Sequence, residues 1–235
     1  MKKSHIATLI VFLVLIPLTL ILGSRLSGRA FYVTSTLVIV ELLIPFFLAF
    51  EGRRPQAREL VVLAVMCALA VAGRVAIPIP NFKAIFGIIM VAGIAFGPES
   101  GFLVGAISAL ASNFFYSQGP YTPWQMMAYG AGGMLAGFVF AQGRLPRKPV
   151  IMGIFGFLAV AFFVGPLLDT CSVFLVMSRI TLKGAMAFYI SGFPVNLRQA
   201  VATAIVLLVL GKPLLEKLDR IKTKYGILDD GGKEA

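Results

Sequence analysis

The residues able to recognise a small polar molecule gather around the breaks between apolar runs. Arg74, Asn81, Phe82 and Lys83 surround one break. Asn113, Tyr116, Gln118, Tyr121, Trp124, Gln125 and Tyr129 surround a second, and Asp169, Arg179, Asn196 and Arg198 lie near a third. This is recognition chemistry: cationic groups suit phosphate or carboxylate, and aromatic walls with a few placed polar groups suit a binding pocket. An interfacial aromatic belt with ordinary loop polarity accounts for Tyr121 and Trp124. It accounts less well for Asn113, Asn196 and Arg198, because polar groups inside helix ends cost free energy unless partnered. The expectation is an outward-facing pocket lined by this rim.

Catalytic chemistry is poorly supplied. The only histidine is His5, so a Ser-His or Cys-His pair has no base. One His with two separated cysteines, Cys67 and Cys171, builds no histidine-based metal site; two free thiols are expected. Gly211-Lys212-Pro213 lacks the upstream glycine of a phosphate-binding loop. No cofactor is expected, and any ATP hydrolysis belongs to another chain. Glu41, the one acid in mid-helix, reads better as a structural partner than as a transport group without a polar path around it.

The elements that must carry these residues are transmembrane helices. Of 235 residues, 59% are hydrophobic and 13% charged, against about 25% charged in a soluble domain. Apolar runs cover 6–23, 31–50, 59–76, 84–96, 101–116, 124–141, 150–168 and 195–210. The first resembles a signal peptide, but its core exceeds the usual ~7–15 residues, so a retained helix is expected. Residues 169–187 read as an external loop with a short helix, and 212–235 as a charged tail with amphipathic spacing. The charged linker around Pro55 divides a two-helix extension (1–57) from a six-helix core (58–212), followed by the tail (213–235).

Net charge is +11 and the pI near 10.0, which in a soluble chain suggests nucleic acid. Here Lys and Arg gather at one set of helix ends, including Lys2, Lys3, Arg53, Arg54, Arg58, Arg144, Arg147, Lys148 and Lys212. The positive-inside rule explains them and puts both termini in the cytoplasm of a multi-pass protein; no nucleic-acid partner is expected. Ala64, Ala68 and Ala72 share one helix face. Such a face serves either packing within the chain or docking of another membrane subunit. Gly93, Gly97, Gly101, Gly105, Gly133 and Gly137 repeat the four-residue spacing and read mostly as packing contacts.

The stretch Arg74-Val75-Ala76-Ile77-Pro78-Ile79-Pro80-Asn81-Phe82-Lys83, the segment from Gly93 to Gly101 and the segment from Asn113 to Gln125 together resemble the substrate-binding S component of an energy-coupling-factor (ECF) vitamin transporter. The likeness covers about 58–212. The Gly97-Pro98-Glu99-Ser100-Gly101 turn and the loop from Gln118 to Gln125 look most like the cobalamin-type branch. The resemblance implies an all-α integral membrane protein of the plasma membrane, with a six-helix core that binds a vitamin, here cobalamin or a related corrinoid, on its extracellular side. It also implies partners, namely a transmembrane coupling subunit and two ATPases, with the Ala64 and Ala68 face meeting the coupling subunit and the whole subunit toppling to release substrate. The two extra N-terminal helices depart from that pattern. Another vitamin, a modified-base precursor, or a membrane assembly protein whose rim is only a lipid-interface belt are the alternatives.

Overall fold

A computed structural model of the chain describes residues 56–226 apart from 142 and 178, together with 14, 15, 18, 19, 33, 34, 36–41, 43 and 44. Most of the expected helices at 6–23 and 31–50, the linker at 51–55 and the tail beyond 226 lie outside the described residues.

Regular structure among the described residues is helical. From the linker onward the helices are α1 (Ala57–Val75), α2 (Ile85–Phe96), α3 (Pro98–Tyr116), α4 (Thr122–Phe140), α5 (Pro149–Val176) and α6 (Leu182–Tyr225). Prolines punctuate them as their chemistry requires. Pro98, Pro123 and Pro149 sit in first turns, where a missing N–H costs nothing. Between α2 and α3 the chain reverses at Gly97, whose φ of 93° is open to glycine and strained for other residues.

Helix α2 is the centre of the bundle. All of its residues are buried, and it packs against α1, α3, α4 and α6. Its 12 residues rise about 18 Å, short of the roughly 30 Å hydrocarbon core. It is apolar all round and shielded by its neighbours, as such a helix must be. Glycines set the spacing around it. A Cβ at Gly93 would lie 2.1 Å from the Gly133 carbonyl oxygen, and one at Gly101 would lie 2.5 Å from the same atom. Gly137 meets the backbone of Pro98 at 2.6 Å in the same way. The glycine series is thus a seam along which α2, α3 and α4 touch backbone to backbone.

Two expectations are corrected. Residues 169–176 are not loop: α5 continues to Val176 through a widened π-type turn at Val160–Val164. Helix α6 starts at Leu182 rather than at 195, keeps Pro194 inside it, and runs on through a second widened turn, Leu207–Gly211, to Tyr225. Polar residues in these stretches find partners across the helix pair. The Asn196 Nδ2 donates to Asp169 Oδ2 at 2.7 Å, and Thr170 and Tyr189 hydroxyls meet at 2.8 Å. Gly192 leaves room for the Asp169 carboxyl, which a Cβ there would meet at 2.2 Å. Among the described residues, helices α5 and α6, with 28 and 44 residues, are the two long and apolar enough to cross a membrane by length and composition.

The bundle has a basic end, where α2 stops and α5 starts. Leu215 and Leu218 bury the apolar face of the last part of α6 against the core. Its cations close the end of α2: Lys222 donates to the Ala95 carbonyl at 2.6 Å, and Arg147 to the Ile94 carbonyl at 3.1 Å and to Asp219 at 3.4 Å. Cations belong at a helix C-terminus, where carbonyls lack partners. Arg58, in the first turn of α1, donates to the Tyr225 carbonyl at 3.4 Å.

The described N-terminal residues touch the core on α3, α4 and α5. Ile39 packs with Trp124 and Cys171, and Leu43 with Phe102 and Ala106. Thr19 donates to Glu41 Oε1 at 2.5 Å. Both cysteines are free and buried.

Candidate functional site

The end opposite the basic one carries a cavity. It forms where α1 ends and the loop 76–84 turns into α2. Pro78 and Pro80 keep that loop out of helical conformation, and Asn81 completes the turn at a φ of 56°, a left-handed value that asparagine tolerates better than most residues.

Arg74, in the last turn of α1, organises the cavity. One of its nitrogens donates to Ser112 Oγ and to Asn113 Oδ1, the latter at 2.9 Å. The guanidinium carbon lies 4.8 Å from the Tyr116 ring centroid and 5.7 Å from that of Tyr129, within cation–π range. Tyr116 returns a hydrogen bond to the Arg74 carbonyl at 3.0 Å. Asn113, fully buried, also donates to Gln125 Oε1 at 2.7 Å and Thr122 Oγ1 at 3.2 Å. Thr122 in turn donates to Gln118 at 2.9 Å and accepts from the Gly119 N–H at 3.2 Å. The second break in the sequence is therefore a closed network that locks the end of α3 to the start of α4 behind Arg74.

Lys83 supplies the second cation. Its Nζ donates to the Ile77 carbonyl and lies 5.9 Å from the Tyr116 ring centroid. Its backbone is gripped by α6: the Lys83 N–H donates to Gln199 Oε1 at 3.3 Å, and Gln199 Nε2 donates to the Lys83 carbonyl at 2.6 Å. The cavity holds about 500 Å³, with Arg74, Asn81, Lys83, Tyr116, Tyr129 and Gln199 as its polar and aromatic lining and Val75, Ile77, Pro78 and Pro80 as its apolar lining. Tyr129 is held edge-on to Phe86 at 4.5 Å.

The structure thus brings Arg74, Asn81, Lys83, Tyr116 and Tyr129 to one cavity and puts Asn113, Gln118 and Gln125 behind it. It places the others elsewhere. Phe82, within the loop, is half-buried and is not part of the lining. Tyr121 donates to the Ser117 carbonyl at 2.7 Å. Trp124 stacks on Phe174 of α5 at 5.6 Å. Asn196 is engaged with Asp169, and Arg179 and Arg198 are exposed. The residue missed in the sequence is Gln199. The reasoning that singled out Asn196 and Arg198 (a polar group in an apolar helix) applied equally to it.

On α1, Ala64, Ala68 and Ala72 are exposed, flanked by exposed Leu60, Val61, Val65 and Leu69, while Leu63, Met66, Cys67 and Ala70 face the core. An apolar surface on α1, α5 and α6, with a cation-bearing cavity at one end of the bundle, is what a membrane-embedded helical protein presents. The family model described as ECF-type riboflavin transporter, S component, matches residues 55–216, and the chain belongs to that family. Membership makes it a substrate-binding subunit of an ECF-type vitamin importer in the plasma membrane, and not an enzyme. No curated protein and no solved structure matches the chain at a significant level.

Proposed function

We propose that the chain captures a flavin-sized vitamin, riboflavin being the leading choice, in the cavity between α1, the 76–84 loop, α3, α4 and α6. The observation that carries this reading is the pairing of Arg74 and Lys83 with the rings of Tyr116 and Tyr129 in about 500 Å³, a volume typical of sites for compact organic ligands. A flat heterocycle fits aromatic walls, and its carbonyl-bearing edge suits cationic donors. The family's description points the same way. A corrinoid has less support. The turn and loop that suggested it have structural duties: Gly97 and Pro98 reverse the chain and start α3, while Gln118 and Thr122 start α4.

In the same reading, the basic end faces the cytoplasm and the cavity faces outward. Helices α1–α6 form the membrane core, with two further helices before it. The Ala64–Ala68–Ala72 face docks on the transmembrane coupling subunit of a module that also holds two ATPases. Small residues let a partner helix approach closely, and the described N-terminal contacts fall on α3, α4 and α5, leaving this face open. Replacing Ala64 and Ala68 with leucine is expected to lower uptake by reconstituted transporter about tenfold or more, the equivalent of some 1.4 kcal/mol of docking. Vitamin binding by the isolated chain should not change. Uptake at the unaltered rate would remove this face from the interface.

Two neighbouring residues test the site. Gln199→Ala releases the loop backbone at Lys83 and is expected to weaken riboflavin binding about tenfold, the loss of roughly one to two hydrogen bonds. Arg198→Ala, one residue away but exposed, should stay within about twofold, as surface changes usually do. The reverse ranking in a titration of the purified chain would place the ligand elsewhere.

A further inference from the structure

A groove lies at the basic end, away from the cavity proposed to hold the vitamin. Helices α5 and α6 enclose a groove of about 280 Å³ lined by Val150, Gly153, Ile154, Phe157, Leu158, Ala204 and Leu208. Its lining is apolar, and Val150, Ile154, Leu158 and Leu208 are 61%, 57%, 49% and 43% exposed. The floor is tight: a Cβ at Gly153 would lie 2.8 Å from Leu208 Cγ. The walls are bulky, unlike the alanine face of α1. A partner helix needs small residues to approach its neighbour's backbone, whereas a single flexible hydrocarbon chain follows a groove between large side chains.

The groove ends at charge. Lys148 is the residue before α5 begins, and Val150 lines the groove immediately after it. Lys212 lies one turn beyond Leu208 on α6, and both lysines are exposed. The carboxylate against Lys212 is Glu216 at 3.9 Å, with both side chains more than half exposed; a pair of that kind is worth little. Arg147 next door is engaged with Ile94 and Asp219, while Arg144 is exposed and adds to the positive field.

We infer that this groove binds an anionic phospholipid, with one acyl chain along Val150, Ile154, Phe157, Leu158 and Leu208 and the headgroup phosphate against Lys148 and Lys212. Basic groups beside apolar clefts at a membrane surface select anionic headgroups in this way. The site is independent of the vitamin cavity, so either assignment can fail without the other.

The test is native mass spectrometry of the full-length, detergent-purified chain titrated with phosphatidylglycerol or phosphatidylcholine. Phosphatidylglycerol should be retained about thirtyfold better, in line with roughly 1 kcal/mol for each of two lysines near a charged headgroup. The Lys148→Gln/Lys212→Gln variant should bring the two lipids to parity. Ile154→Trp, which fills the groove from its exposed side without touching a charge, should lower retention of phosphatidylglycerol. Equal retention of both lipids by the unaltered chain overturns the proposal. So does a preference that survives the lysine changes, or retention indifferent to Ile154→Trp.

Discussion

Arg74→Met is expected to reduce vitamin binding about a hundredfold or more. Truncating one member of a buried, hydrogen-bonded charge set typically costs about 2–5 kcal/mol, and Arg74, half-buried, lies within cation–π range of two tyrosine rings while tied to Ser112 and Asn113. The substitution has a second consequence. Asn113, fully buried, loses the donor to its Oδ1, and an unsatisfied buried acceptor costs about 1–3 kcal/mol. The melting temperature should therefore fall along with affinity. Arg74→Lys separates the two effects. It restores a cation but not the planar guanidinium that stacks on Tyr116 and reaches both Ser112 and Asn113, so binding should recover only in part. Unaltered affinity in a folded Arg74→Met chain would mean that the ligand is not held in this cavity.

The largest effect on folding is expected from Gly93→Leu or Gly133→Leu. Each introduces a side chain where helix backbones touch. The first meets the Gly133 carbonyl at 2.1 Å and the second the Gly101 carbonyl at 2.3 Å, counting only the Cβ. Overpacking a core against side chains costs about 1–3 kcal/mol because they can rotate away. A backbone carbonyl in a helix has nowhere to go, so the loss should exceed about 3 kcal/mol and yield little folded protein in detergent. Gly143→Leu, by contrast, meets nothing within 4 Å and carries only the strain of its φ of 71°, a cost of about 1–2 kcal/mol. Comparable yields of the Gly93 and Gly143 variants, judged by size-exclusion profile, would show that the α2–α3–α4 seam is not close-packed.

The sequence made the first four core helices readable because their ends carry strong backbone chemistry. The proline pair at 78 and 80, Gly97-Pro98 and Pro120 with Pro123 mark breaks that no helix continues through, and the helix limits fall within three residues of those expected. Helices α5 and α6 were harder because the usual stop signals mislead there. Asp169 and Thr170 resemble loop polarity until Asn196 and Tyr189 satisfy them from the facing helix. Pro194 resembles a helix start, yet α6 carries it inside, which neighbouring helices make tolerable in a membrane. The charged run after Lys212 resembles a tail because its burial of Leu215 and Leu218 depends on a groove in the core.

The site divides the same way. Arg74, Lys83, Tyr116 and Tyr129, which line the cavity, stand out in the sequence because each is an unusual residue for its apolar setting. The difference between lining the cavity and supporting it was not readable. Asn113 and Gln125 are as polar as Gln199, and only the rotation of each helix decides which of them faces the opening. Arg198 and Gln199 show the limit most plainly. They are adjacent on α6, where neighbouring side chains point about 100° apart, so one is turned outward and the other grips the backbone of the 76–84 loop at Lys83.

The most direct measurement is isothermal titration of the detergent-purified chain, without partner subunits, against riboflavin, cobalamin and a small panel of other vitamins. The account predicts sub-micromolar binding of riboflavin, more than about 8 kcal/mol, no measurable heat with cobalamin, and loss of the riboflavin signal in Arg74→Met. Binding of cobalamin alone, or riboflavin binding that is indifferent to Arg74, would contradict it.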